Sequence, residues 1–297
     1  MVAEPPSAHA IPPVSRLGRW DGTRFVEVAP ATLPPSTLRV LVHGWTPGWD
    51  RRAIQAEHQR GWELTGPRGQ PFEPWMGELA QMVVTHDPHA VVVAYSWADD
   101  SSTIASPFAQ YRALTRTTAF GEVLAEAIEG ALASDFYEAH GRIQLVGHSY
   151  GARVAAVAAT HMSVPPAQLT MFDVPDGVLT EITGSEADMQ DLLARLPIGW
   201  GAGRVFVDNY VSMMGRRYAW RDGLGSVRDV SLAPPFGSLR YRPRHLYPMR
   251  FYTDSPGHGF GYDWSPLTGR ASPPAGGCWE QRVAGEETLT LGCSGAP

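Results

Sequence analysis

The stretch "LVGHSYGARVAAVAA", Leu145 to Ala159, sets Ser149 between Gly147 and Gly151, at minus two and plus two. The run that enters it, "RIQLVGHS" (142–149), is short, apolar and strand-like, and "YGARVAAVAATHM" behind it has a helical pattern rich in small residues. A serine at a strand-to-helix joint sits on a sharp, strained turn whose neighbours approach too closely to carry side chains, so glycine at both places is what the turn requires. A chain with 31 glycines in 297 residues also produces this spacing by chance. The strand before the serine and the helix after it favour the nucleophile turn. Ala152, Ala155 and Ala156 keep that helix thin where it meets a sheet.

Outward from this turn the chain alternates. "TLRVLVHG" (37–44), "AVVVAYSW" (90–97), "QLTMFDV" (168–174), "RVFVDNYVS" (204–212) and "MRFYTDS" (249–255) read as further strands, most of them apolar on consecutive residues. That pattern fits a parallel sheet covered on both faces. Helical patterns lie between them: "WMGELAQMVVTH", stopped by "DP"; "YRALTRTTAFGEVLAEAIEGALASDF", apolar at Leu114, Phe120, Val123, Leu124, Ile128 and Leu132; and "SEADMQDLLARL". "LGRWDGTRFVEV" reads as an antiparallel edge hairpin. The fold class is therefore α/β, a mostly parallel central sheet with helices on both faces. Ligands in such sheets bind outside the carboxyl ends of the strands, so polar groups there become the candidates.

Composition narrows the partners. At 43% apolar and 18% charged the chain is globular, and a net charge of −6 gives no basic footprint for nucleic acid. All 24 cations are arginine. No apolar run is long enough for a membrane span, and "MVAEPPSAHAIPPVSR" lacks the basic start and apolar centre of a secretory signal peptide. The compartment stays open, extracellular included, as does the oligomeric state. No Cys/His spacing suggests a metal site, no "GxGxxG" follows the first strand, and no cofactor is implied. The two cysteines, Cys278 and Cys293, flank strand-like "TLTLG" and either close a hairpin as a disulfide or remain thiols.

An acyl-transfer serine needs backbone N–H donors where negative charge develops. Tyr150, directly after Ser149, offers one, and Trp45 in "VLVHGWTPGWD" offers the second from the loop that leaves an earlier strand. With these blocks the sequence resembles the α/β-hydrolase superfamily, most closely the pancreatic-lipase-type family of lipases and esterases. "LVHGW", "AYSWADD", "LVGHSYGARVA", "LTMFDVPD", "VFVDNYVS" and "RHLYPMRFYTDS" follow that family's order over about residues 36–256. No C-terminal β-sandwich like that of the animal enzymes is visible.

The resemblance implies a Ser149–Asp173–His245 triad, with Asp173 after the strand that succeeds the serine unit. Asp208, on the next strand, is the alternative acid, and Asp176 a third. His258 in "SPGHGFG" is the alternative base, while His148 and His43 read as supporting groups. Residues 1–256 would form the hydrolase domain, with 1–16 a leader, 213–244 a candidate lid, and 257–297 an extension on or trailing the same domain. In that candidate lid, Leu232, Pro235, Phe236 and Leu239 would cover the serine and line an acyl pocket, unless the stretch is an ordinary long surface connection. The insertion from Gly48 to Pro74, with Trp49, Trp62, Phe72 and the adjacent Trp75, either walls a hydrophobic slot or packs the helix behind it. The implied activity is hydrolysis of a small-molecule or lipid carboxylic ester, with transient contact at a lipid interface. Acyl transfer or thioester hydrolysis would use the same residues, and a non-catalytic ligand-binding protein would use none of them.

Overall fold

A computed structural model describes residues 16–29, 33, 37–46, 62–63, 73–101, 107–132, 140–175, 189–212, 214–218, 227–232, 241–270, 278–284 and 287–292. The strands are β1 (Leu17–Trp20), β2 (Phe25–Glu27), β3 (Leu38–Val42), β4 (Val91–Tyr95), β5 (Ile143–His148), β6 (Gln168–Phe172), β7 (Phe206–Val211), β8 (Arg228–Ser231), β9 (Cys278–Ala284) and β10 (Glu287–Gly292). They form one sheet in the order β10-β9-β8-β7-β6-β5-β3-β4-β1-β2. Strands β3 to β9 pair in parallel. The antiparallel β1–β2 hairpin closes one edge, and β10 returns antiparallel on β9 at the other. The Asp21 carboxylate shapes the β1–β2 turn by accepting the N–H groups of Thr23 and Arg24 at 2.8 and 2.9 Å.

Besides a single turn at Ala98–Ser101, the α-helices among the described residues are α1 (Pro74–His86), α2 (Pro107–Leu132), α3 (Tyr150–His161), α4 (Met189–Ala194) and α5 (Tyr241–Thr253). Because side chains alternate across a strand, each central strand feeds two cores. Val40, Val42, Leu145, Leu169 and Met171 meet α2, α3 and α4 on one face. Leu41, Val92, Val146, Phe172 and Tyr210 meet α1 and α5 on the other. Phe120, Val123, Leu124, Ile128 and Leu132 of α2 are all buried, as their helical spacing predicts. Helix α1 ends at Asp87, whose N–H still reaches the Val83 carbonyl at 2.7 Å.

Two expectations are overturned. "MRFYTDS" is not a strand: it is the second half of α5. Its residues mimic strand alternation, but His245, Pro248, Met249 and Tyr252 are buried at i, i+3, i+4 and i+7, so the helical period wins through packing on Phe172 and Tyr210. The stretch 213–244, read without secondary structure, contains β8, which pairs with β7 through Asp208↔Arg228 to Val211↔Ser231. Leu232 is correspondingly a core residue rather than a lid residue, and its N–H donates to the Val211 carbonyl at 2.7 Å. Pro235, Phe236 and Leu239 lie outside the described residues, as do Cys293, Trp49, Phe72 and Asp176. Among the described residues no helix is long and apolar enough to cross a membrane.

Candidate active site

Sheet register assembles the site. The last paired rows at the carboxyl edge run Val42↔Gly147↔Met171, then His148↔Phe172↔Tyr210. The next row outward therefore holds Gly44, Ser149 and Asp173 on strands about 4.8 Å apart. Two hydrogen bonds hold this row to the sheet, from Ser149 N–H to the Phe172 carbonyl (2.9 Å) and from Asp173 N–H to the Tyr210 carbonyl (2.8 Å). Ser149 and Asp173 are also the two non-glycine residues with positive φ among the described residues, at 54° and 46°. That conformation costs an L-residue energy and persists only where the surroundings impose it.

Ser149 joins β5 to α3 on the turn the glycines predict. A Cβ on Gly147 would fall on the backbone of Ala152, and one on Gly151 would fall on the Val42 and His43 carbonyl oxygens. Those contacts press α3 onto the end of β3, which any side chain would prevent. Ser149 lies at the N-terminus of α3, where the helix dipole favours negative charge and the first amides have no acceptor within the helix. Tyr150 is the first residue of that helix.

Trp45 follows β3 on a loop pressed against the serine, since a Cβ on Gly44 would lie 2.9 Å from Ser149 Cβ. The loop is fixed from its own side by His43. The ring of His43 meets the Gly44 carbonyl through Nδ1 at 2.9 Å, so Nδ1 carries the proton and Nε2 accepts the Trp97 backbone N–H at 3.1 Å. The Trp97 indole N–H donates to the His43 carbonyl at 2.7 Å, and Thr46 N–H donates to the Ser101 carbonyl at 3.2 Å. His43 is thus a brace for the loop.

Asp173 is fully buried and split in function. Its Oδ2 accepts His245 Nδ1–H at 2.7 Å, while Oδ1 accepts three backbone N–H groups, from Ser212 (2.9 Å), Met214 (3.0 Å) and Gly215 (3.0 Å). Three converging amides stabilise the carboxylate as an anion and fix its plane. This cradle was invisible in the sequence, because it is built from backbone at the end of one strand stretch (Ser212) and the start of the candidate lid (Met214, Gly215), and it carries no side-chain signature. His245 is the fifth residue of α5, 8% exposed, its ring 4.4 Å from that of His148, the residue before Ser149. With Nδ1–H committed to Asp173, its Nε2 is left as the basic nitrogen.

The structure separates the alternatives from this cluster. Asp208 sits mid-strand, paired with Thr170, three residues or about 10 Å short of the Asp173 row. It is buried in a polar layer and accepts from Thr170 Oγ1 (2.7 Å), Gln168 Nε2 (3.1 Å) and the Tyr210 hydroxyl (3.0 Å). Burial pushes its carboxyl up from 3.8 to about 6, against those hydrogen bonds. His258 follows the far end of α5, exposed, its ring stacked on Phe260 at 5.8 Å. Trp62 packs over Gly18 on β1 and donates to the Arg16 carbonyl at 3.3 Å. Trp75 is buried with its indole edge-on to His148 (6.1 Å) and Phe172 (6.4 Å). Both tryptophans are packing residues. Among the described residues no cluster of His, Cys, Asp and Glu could hold a metal ion.

No protein-family model matches the chain, and no curated protein matches it. Among solved structures it is similar to dipeptidyl peptidase 4 of Porphyromonas gingivalis, at 13% identity over 76% of this chain and a TM-score of 0.35. The chain spans only 29% of that peptidase. It is also similar to the apo form of Thermogutta terrifontis esterase 2, at 10% identity over 93% of this chain and 85% of that one, TM-score 0.34. The NocB thioesterase domain follows at 12% identity, 84% of each chain and TM-score 0.28. At such TM-scores the likeness carries no argument about activity.

Proposed function

We propose that the protein is a serine hydrolase of the α/β-hydrolase type that cleaves carboxylic esters through Ser149, His245 and Asp173. The observation that carries this reading is the 2.7 Å Asp173–His245 hydrogen bond beside a serine held at φ 54° on a strand-to-helix turn. The acid holds the base through Nδ1, as a nucleophile activator requires, and the strained backbone at Ser149 supports a functional turn. The acid follows the strand adjacent to the serine strand, the placement that resemblance to the pancreatic-lipase-type family implies.

In this mechanism His245 Nε2 takes the proton from Ser149 Oγ as the oxygen attacks the ester carbonyl. The carbonyl π-bond pair moves to oxygen, and the amides of Trp45 and Tyr150 hold that oxyanion with the positive end of α3 behind them. Asp173 stays ionised, keeps the imidazole in its Nδ1–H tautomer and stabilises the imidazolium. Collapse of the tetrahedral species breaks the bond to the alkoxy group, which leaves as the alcohol with the proton from His245. Water, deprotonated by the same nitrogen, then attacks the acyl-enzyme and releases the acid. The test is turnover of nitrophenyl esters of rising acyl length by the wild type and Ser149→Ala. The wild type should turn over and the variant fall to background, and ester turnover retained by Ser149→Ala would defeat the reading.

A further inference from the structure

His148 is a buried titratable group at the site that takes no part in the mechanism above. It is 5% exposed, and its ring lies 4.4 Å from that of His245 at an angle of 49°. Its Nε2 sits 3.3 Å from the His245 backbone carbonyl. A carbonyl oxygen only accepts, so Nε2 carries the proton. Nδ1 is buried and has no hydrogen-bond partner among the described residues. An imidazolium would leave a charged N–H there without an acceptor, whereas a neutral ring leaves only a lone pair. Burial, and then the nearby His245, push the His148 imidazole well below its usual range, in accord with a neutral ring.

His148 is itself held. It closes β5 in register with Phe172. The Trp75 indole meets its ring edge-to-face with ring centres 6.1 Å apart, and a Cβ on Gly44 would lie 3.2 Å from Nδ1. The ring therefore links three parts of the site: the serine turn, the loop that carries Trp45, and α5. Asp173 holds the His245 imidazole at Nδ1, and His148 packs its ring beside that imidazole and also meets the His245 backbone carbonyl.

We propose that His148 is a positioning residue for His245, anchoring its backbone carbonyl through Nε2–H and packing against its ring so that Nε2 of His245 keeps its aim at Ser149. This rests on the triad reading above. Pro248 has no N–H to offer the Arg244 carbonyl, so the helix is one hydrogen bond short next to His245, and the donor that His148 brings from β5 adds a hold there.

The experiment compares His148→Phe, which keeps a ring but loses the donor, with His148→Gln, whose amide N–H reaches the position of Nε2. Three quantities are read: kcat and KM on a nitrophenyl ester, melting temperature, and the downfield NMR resonance of the His245 Nδ1–H shared with Asp173. The expectation for His148→Phe is a fall of about tenfold in kcat with KM within about twofold, and a shifted or broadened resonance. His148→Gln should recover most of the lost kcat and sharpen the resonance. Unchanged kcat and resonance in His148→Phe would overturn the proposal. So would equal losses in both variants that merely track a lowered melting temperature. The resonance is read without turnover, so a failed triad reading (no Asp173-dependent resonance in the wild type, or an active Ser149→Ala) is told apart from a failed role for His148.

Discussion

Replacing Asp173 with Asn changes one atom and, on this geometry, inverts a hydrogen bond. Oδ1 accepts from three amides at 2.9–3.0 Å, so the carbonyl oxygen of an asparagine must take that position. Its NH2 group then faces His245 Nδ1, where Oδ2 stood at 2.7 Å. Two donors cannot face each other, so the imidazole gives up its Nδ1 proton and holds one on Nε2 instead. That tautomer has no lone pair for the Ser149 proton. The expected loss in kcat is about 10⁴-fold, or about 5 kcal/mol of transition-state stabilisation. Asparagine tolerates the φ of 46° at this position better than most residues, so the fold should survive. The assay is steady-state turnover of a nitrophenyl ester, with melting temperature measured on the same preparations. A kcat within tenfold of wild type in a folded Asp173→Asn protein would refute the assignment of the acid.

Three further outcomes follow from the same contacts. Asp208 has a folded pKa of about 6, above its ordinary 3.8, so its contribution is fully present below pH 3.8 and is lost as pH rises through 6. Asp208→Asn should therefore stabilise the fold above pH 6, by up to roughly 3 kcal/mol, converge with wild type below pH 4 and leave ester turnover intact; denaturant titrations at pH 4 and pH 8 read this, and destabilisation at pH 8 would contradict it. His258→Ala should leave kcat/KM within about twofold while His245→Ala abolishes turnover; the reverse ranking would hand the base to His258. Gly147→Ala drives a methyl into the Ala152 backbone, which cannot swing aside, and should cost about 3 kcal/mol or more in chemical unfolding; a loss under 1 kcal/mol would mean the turn is looser than described.

Much of this architecture was legible because its signals are local. β-branched runs such as "VVVAY" mark strands buried on both faces, and the Gly147–Ser149–Gly151 spacing marks a turn that no other residues can make. Asp173 and Asp208 could not be separated on local grounds. Each lies in an apolar strand pattern, and only register decides: β6 ends at Phe172 and leaves Asp173 beyond the sheet, whereas β7 begins at Phe206 and runs on past Asp208. Strand β8 was hidden because its four residues, "RDVS", carry two charges. Asp229 is buried with Asn209 on the neighbouring strand donating to it at 2.7 Å, a partner the sequence does not reveal. Helix α5 was hidden by Pro248 and by aromatics that alternate like a strand. The Asp173 cradle is backbone, and backbone leaves no trace in side-chain identity.

The proposed activity depends on the chemistry of a single oxygen, Ser149 Oγ. Incubating the protein with a fluorophosphonate and mapping the adduct by peptide mass spectrometry tests it most directly. One stoichiometric adduct on Ser149, lost in Ser149→Ala and slowed severely in Asp173→Asn, is the predicted result. An unlabelled Ser149 in the folded wild type, or an adduct carried by another residue, would contradict it.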